Sequence, residues 1–334
     1  MLSDKYEYMS MKVPLTFMMR VYSGDELRSI LTYLFSRSDI KEITYKQFVS
    51  KIVLWVSYLK CEKILSNLIT KPEDSLRVLK SVDGIKQTVT NYHLYLSAVV
   101  CFIKKVLMGG RFIMCIKTDG VLSISDTHNS WRELLKENWV PIQDHYDSNE
   151  PSEKQKEMVV PFDELIEALG KLKKGSPEHL LLAFYTKVPP VRAEYFDMRL
   201  IFDGDKIPDD GNYIVMKCGK LVIHDFKASG TCPPIETIIS EEVMGWVRES
   251  LIIKPRKYLF VTPTENKAYG RTQFSQWAGR TLTKIFNKPM NLTVIRHIYI
   301  THMIAIKTPV SELKQLAKNM GHSRTTQRMY DWNQ

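Results

Sequence analysis

Ile295-Arg296-His297-Ile298-Tyr299-Ile300-Thr301-His302, then Met320-Gly321-His322-Ser323, then Tyr330 near the end of the chain, decide how this sequence reads. Arginine, histidine and tyrosine are the groups needed to attack a phosphodiester without a metal. A guanidinium holds the anionic phosphate through its fork, an imidazole hydrogen-bonds the phosphate oxygens, and a phenol oxygen acts as nucleophile. Arg296, His322 and Tyr330 suit these roles in that order. His297 and His302 read as structural side chains packing in the helix that presents Arg296. Tyr299 reads as core; it precedes the Gly-His-Ser turn, whereas Tyr330 follows it in a basic context. Leu313, Leu316 and Ala317 recur at helical spacing, with Thr308 and Ser311 as alternative start signals and Gly321 as the stop.

Upstream, two helices are expected near 162–172 and 177–185. Arg192 follows at once, in Val188-Pro189-Pro190-Val191-Arg192-Ala193-Glu194-Tyr195. Taken alone, Arg192 equally suits a surface ion pair with Glu194 or Asp197. β-Branched runs at 213–217 and 221–226 around Cys218-Gly219 predict a hairpin. The loop Lys227-Ala228-Ser229-Gly230-Thr231 leads to a further strand at 235–239, and everything after Glu241 reads as helix.

Residues 1–110 read as a bundle of their own. Ser23-Gly24-Asp25-Glu26 forms a capping-box pattern before Leu27, Ile30, Leu31 and Leu34. A second helix from about Thr44 carries Phe48, Ile52, Trp55, Val56 and Leu59, and a third follows Lys71-Pro72-Glu73, where proline suits the first turn. A fourth, from about Thr90, carries Tyr92, Leu96, Val99, Ile103 and Leu107 and ends at Gly109-Gly110. The aromatic stripe of these helices reads as core. Residues 111–160 read as an extension and linker, with a short hairpin turning at Asp119-Gly120, a helical piece at 131–135, and a polar, proline-bearing stretch around Pro151.

The 334 residues suit two domains, and 44% hydrophobic with 25% charged content is ordinary for globular chains. The formal net charge of +10 favours a polyanionic partner. Residues 251–334 hold 14 Lys+Arg against 3 Asp+Glu, leaving 33 basic and 34 acidic groups in the rest of the chain. The basic excess is therefore confined to the segment that carries Arg296 and Tyr330. Five scattered cysteines without a Cys-x-x-Cys pair argue against a disulfide framework or zinc site, and for an intracellular, reducing compartment. No signal peptide opens the chain. Lys104 and Lys105 interrupt the apolar run around 94–107, so no membrane association is expected.

Read together, these residues resemble the catalytic domain of the tyrosine recombinases, or phage-type integrases, and less closely that of type IB topoisomerases. Arg192 falls where the family places its first arginine, and Lys227 where it keeps a lysine between strands. Ile295–His302 looks like its Leu-Arg-His…Ala-Thr-His box, Met320-Gly321-His322-Ser323 like its Leu-Gly-His-Ser box, and Thr325-Thr326-Gln327-Arg328-Met329-Tyr330 like its Thr-Thr-Gln-x-Tyr ending. The divergent boxes are closer to those of viruses or mobile elements than to chromosome-dimer resolvases. The resemblance implies a mostly α fold with a small antiparallel sheet. It implies a helical core-binding (SAM-like) bundle over 1–110 and a tyrosine-recombinase catalytic domain over 161–334. It also implies double-stranded DNA as partner, a homo-tetramer assembled on it, and neither cofactor nor metal.

The implied chemistry is strand cleavage through a 3′-phosphotyrosyl link. Tyrosine, with an ordinary pKa of about 10, needs neighbouring cations to favour its phenolate. Arg192, Arg296 and His322 pair with charge building on the phosphate oxygens, and by resemblance Lys227 protonates the departing 5′-hydroxyl. Lys217 and Lys220 are rivals for that role. Two departures stand out. Thr293 occupies the position where the family has His or Lys, so it can contact a phosphate oxygen but not shuttle a proton. The interval from His322 to Tyr330 is one residue short, and the sequence stops four residues after Tyr330, so protomer contacts are expected from elsewhere or assembly in solution is weak. Two alternatives share these residues: a DNA-binding relative that has lost activity, and a type IB topoisomerase. All three require phosphate contacts that release counterions, so DNA affinity should fall about 10³-fold or more between 50 and 200 mM salt. Fluorescence anisotropy with a labelled duplex measures this, and a flat salt response would show that the basic C-terminal segment is not the binding surface.

Overall fold

The computed structural model describes residues 21–59, 65–83, 85–108, 116–117, 121–122, 124–148, 150–230, 232–323, 326–327 and 330–332. The chain divides into two compact units, Met1–His145 and Tyr146–Gln334. Both are built mainly of helices, and the second carries a four-stranded sheet.

In the first unit, Ser23 and Glu26 close the expected capping box at the start of α1 (Gly24–Ser36). Leu27, Leu31, Leu34 and Phe35 of α1 face α2 (Glu42–Tyr58), which buries Val49, Ile52, Trp55 and Val56. A short helix, α3 (Leu65–Thr70), precedes α4 (Pro72–Ser81), which has its proline in the first turn. Thr88 caps α5 (Val89–Cys101), and the helix continues as a π-helical segment, Phe102–Met108. Two-residue strands β1 (Ile116–Lys117) and β2 (Val121–Leu122) pair antiparallel. The expected turn at Asp119-Gly120 and stop at Gly109-Gly110 lie outside the described residues.

The helical piece expected at 131–135 is the middle of a much longer helix, α6 (Ile124–Asp147). Its Trp131 is fully buried in the first core and meets Trp55 edge to face at 5.4 Å. Both indoles find backbone acceptors, Trp131 donating to Ile69 O at 2.7 Å and Trp55 to Ser75 O at 2.9 Å, which satisfies the one polar atom each carries inward. Leu134 and Leu135 pack against the same core and Ile142 is buried further along, but polar residues such as Thr127 and His128 fill other buried positions, so the apolar pattern shows only part of the helix.

In the second unit, Ser152 begins a one-turn helix, α7 (Glu153–Lys156), and Met158 and Val160 beyond it join the core. α8 (Phe162–Lys171) and α9 (Pro177–Thr186) follow the expectation closely, α9 with Ser176 as cap and proline in its first turn. The hairpin appears as β4 (Asn212–Val215) and β5 (Lys220–Ile223), with β6 (Ile235–Ile238) antiparallel to β5. Gly219 in the turn has φ +67°, a conformation glycine adopts without penalty. A strand not anticipated from sequence, β3 (Arg199–Ile201), pairs in parallel with β4, so the sheet is mixed, in the order β3-β4-β5-β6. Lys257 and Leu259 bond to the backbone flanking Arg199, Lys257 O to Leu200 N and Leu259 N to Met198 O, at 2.8 Å each.

The remaining helices are α10 (Glu241–Ile253), α11 (Arg271–Phe286), α12 (Leu292–Ala305) and α13 (Val310–Asn319), with a non-helical stretch between α10 and α11. Neither Thr308 nor Ser311 caps α13. Pro309 holds the N-cap position, its fixed φ of −54° leading the chain into the helix without a side-chain bond. No helix among the described residues is long and apolar enough to cross a membrane. Replacing Trp131 by alanine removes a buried ring and orphans Ile69 O. We expect Trp131→Ala to lower the unfolding free energy of the first unit by about 3–5 kcal/mol in denaturant titrations.

Candidate active site

Arg296 rides on a helix that is buried nearly all round. Leu292 and every residue from Val294 to Thr301 of α12 are buried, the pattern of a core helix rather than a surface one. Asn291 starts it, its side-chain oxygen accepting from Thr293 N and Val294 N at 3.0 Å each. The consequence is a guanidinium with no exposed surface, whose Nε, Nη1 and Nη2 have no hydrogen-bond partner. An arginine stays charged under these conditions, although burial lowers its pKa. The ring of Tyr330 lies over it, with its centroid 5.1 Å from Cζ.

His322 is aimed by the end of α13. Gly321 N donates to Lys318 O at 2.9 Å and His322 N to Ala317 O at 3.1 Å, the paired bonds of a Schellman stop. Gly321 has φ +71°, and a methyl group there would lie 3.0 Å from both Phe226 Cδ2 and Ile235 Cδ1. Only glycine allows both the turn and this approach to the sheet. The His322 ring then lies nearly parallel to that of Tyr330, with centroids 5.4 Å apart. Its Nδ1–H points to Ser323 O at 3.2 Å, and Nε2 is buried without a partner.

Arg192 arrives from the segment after α9, where the hydroxyl of buried Tyr185 bonds to the Arg192 carbonyl. Its Nη2 lies 3.3 Å from Tyr330 Oη, across 138 residues of sequence. The alternative ion pair of Arg192 with Glu194 or Asp197 is not formed; Glu194 Oε1 instead pairs with Arg271 at 2.8 Å. Four of the side chains singled out from sequence (Arg192, Arg296, His322 and Tyr330) therefore meet around one phenol. Tyr299 is buried against Phe162, Leu313 and Leu316 and carries no such set.

The other two candidates stand differently. Thr293 is exposed in the first turn of α12 and, with Arg192, Asn291, Ser152, Lys154 and Ser275, lines a cleft of about 500 Å³. Lys227 is exposed in the loop between β5 and β6, and its ammonium has no hydrogen-bond or ion-pair partner among the described residues. It follows Phe226, the residue packed against Gly321. Its rivals are occupied: Lys217 with Asp203 at 3.4 Å and Lys220 with Glu236 at 2.8 Å. Thr325, Arg328 and Met329 of the last motif lie outside the described residues. No cluster of three or more His, Cys, Asp or Glu side chains among the described residues is placed to hold a metal ion.

Three contributors were not read from sequence: Tyr185, Thr301 and Trp332. Trp332 is buried, and its backbone N–H donates to Thr301 Oγ1 at 3.0 Å. Only its size gave a signal, a large aromatic two residues after the tyrosine. His297, read as a packing residue, stacks on the Trp332 ring at 3.9 Å and reaches Tyr330 O with Nδ1 at 3.1 Å.

No family model matches the chain, and no curated protein matches it. Among solved structures, it is similar to a crystal structure of XerA recombinase at 15% identity and a TM-score of 0.39, over 93% of this chain and 95% of that one.

The two histidines have a measurable signature. Burial, with the nearby Arg296 charge, holds His322 down to about 4, and burial alone does most of the same for His297, also to about 4, against an ordinary value of 6.5. Between those limits the unfolded chain binds two protons that the folded one refuses, so stability rises with pH across the window. Each histidine contributes about 1.4 kcal/mol per pH unit there. Denaturant unfolding at several pH values between 4.5 and 6.5 should show this slope, reduced by one histidine's share in His322→Gln.

Proposed function

We propose that this chain cleaves and rejoins DNA strands as a tyrosine recombinase of the integrase type. The observation that carries the reading is the buried, unpaired guanidinium of Arg296 beside Arg192, His322 and the Tyr330 hydroxyl. A buried charge without a partner is costly to maintain, and this one faces a nucleophile-bearing side chain, which is the arrangement an anionic electrophile would complete. In this reading Tyr330 Oη attacks the scissile phosphorus. Arg192 and Arg296 pair with the negative charge that builds on the nonbridging oxygens. The phenol proton released on attack passes to solvent or to the unpaired Nε2 of His322, which then donates to a phosphate oxygen.

Lys227 is the proposed general acid for the departing 5′-hydroxyl, since its rivals are held in ion pairs and its loop adjoins the Gly321 turn. Thr293 is proposed as an auxiliary contact to phosphate within the cleft it shares with Arg192. The 3′-phosphotyrosyl link keeps the energy of the broken phosphodiester, so a 5′-hydroxyl from another strand can reseal it without ATP. Exchange between two duplexes breaks four strands, and four protomers on DNA would supply one nucleophile each. The first unit is proposed as the bundle that grips the flanking duplex.

The test uses a nicked duplex from which the cleaved 5′ end diffuses away. Wild-type protein should form a covalent adduct on a denaturing gel. Tyr330→Phe should form none, and Arg192→Ala should form it about 10²–10³-fold more slowly. Wild-type protein that binds a random-sequence pool of such duplexes yet forms no adduct would leave a DNA-binding relative without strand cleavage. An adduct surviving in Tyr330→Phe would assign the nucleophile elsewhere.

A further inference from the structure

The backbone of the tyrosine is held as firmly as its ring. Tyr330 O accepts from His297 Nδ1 at 3.1 Å and from Thr301 Oγ1 at 3.5 Å. A carbonyl can only accept, so the His297 tautomer carries its proton on Nδ1. The same Thr301 hydroxyl accepts from Trp332 N at 3.0 Å. The Trp332 ring, 4% exposed, lies flat on the His297 ring, with 3.9 Å between centroids and 8° between planes. His297 and Thr301 are one turn apart on the same face of α12. Arg296, one residue before His297, points to the neighbouring face. One helix thus carries both the phosphate-facing guanidinium and the contacts that hold the nucleophile's peptide.

We infer that His297, Thr301 and Trp332 form a clasp of positioning residues. It docks residues 330–332 on α12 of the same chain and sets the Tyr330 phenol between Arg192, Arg296 and His322 before any DNA arrives. The inference rests on the strand-cleaving reading for its consequence, and on these contacts for its geometry. None of the three residues reaches the phenol oxygen. Thr301 and Trp332 act through the Tyr330 carbonyl and the residues that follow, while His297 bonds that carbonyl and also packs its ring against the Tyr330 ring, with centroids 4.5 Å apart. Positioning matters because displacing a reacting atom by about 1 Å can cost about 10²-fold in rate.

The experiment pairs two measurements on the full chain. The first is the single-turnover rate of adduct formation at saturating nicked duplex, with the duplex dissociation constant measured alongside. We expect His297→Ala and Trp332→Ala to slow the adduct by about 10²-fold while leaving DNA affinity within twofold. His297→Asn, which keeps a donor near the Nδ1 position, and Trp332→Phe, which keeps a flat ring, should recover most of the rate. Thr301→Val removes only the hydroxyl and is the variant to use if the alanine changes prevent folding.

The second is amide hydrogen exchange at residues 330–332 without DNA, slow at Trp332 in the wild type and faster in His297→Ala. A variant that cleaves at the wild-type rate overturns the clasp, as do tail amides that exchange equally in wild type and variant. If wild-type protein forms no adduct on any duplex, the strand-cleaving reading fails. The exchange comparison then decides the clasp by itself.

Discussion

A fully buried guanidinium without a hydrogen-bond partner is the constraint around which the second unit is arranged. Taking Arg296 out of water costs several kcal/mol even after relaxation, and three unpaired N–H positions add to that cost. The offsets visible in the structure are partial: the Tyr330 ring lies over the guanidinium, and Glu194 adds a more distant negative charge. Such a group persists only where the surrounding packing gives it no escape. α12 supplies that packing, because Leu292 and every residue from Val294 to Thr301 are buried.

Neighbouring charges are distributed so that the site keeps its cations uncommitted. Arg271 bonds to the buried Glu194, a carboxylate that sequence proximity would have assigned to Arg192. Arg192 is left to point at Tyr330, with its backbone fixed by Tyr185. Lys217 and Lys220 are tied to surface carboxylates while Lys227 is not. Both site histidines are pushed toward the neutral form by burial, and the Arg296 charge adds to the effect. The side chains around the Tyr330 phenol thus carry a net positive charge.

Legibility in the sequence followed the strength of local signals. Ser23 and Glu26, Pro72 and Gly321 each act through hydrogen bonds within a turn or through fixed backbone angles, so their helix ends could be read directly, whereas the caps Thr88 and Ser176 were not singled out. β3 could not. It is three residues long and becomes a strand only because β4 pairs with it in parallel and Lys257–Leu259 bonds beside it. α6 was visible as a fragment around Trp131–Leu135, since several of its other buried positions are polar, Thr127 and His128 among them. Pro309 displaced the two expected caps of α13 because a proline's restricted φ needs no side-chain bond to begin a helix.

The order and chemical types of Arg192, Lys227, Arg296, His322 and Tyr330 were settled by the sequence alone, as were the core helix carrying Arg296 and the glycine turn carrying His322. Those properties depend on neighbours within a few residues. Tertiary structure decided which of these groups share a space. The approach of Arg192 to a phenol 138 residues away, the loss of Glu194 to Arg271, and the burial of Trp332 against His297 follow from how helices and sheet pack. Packing is a many-body outcome of buried surface and satisfied polar groups, and no short window of sequence encodes it.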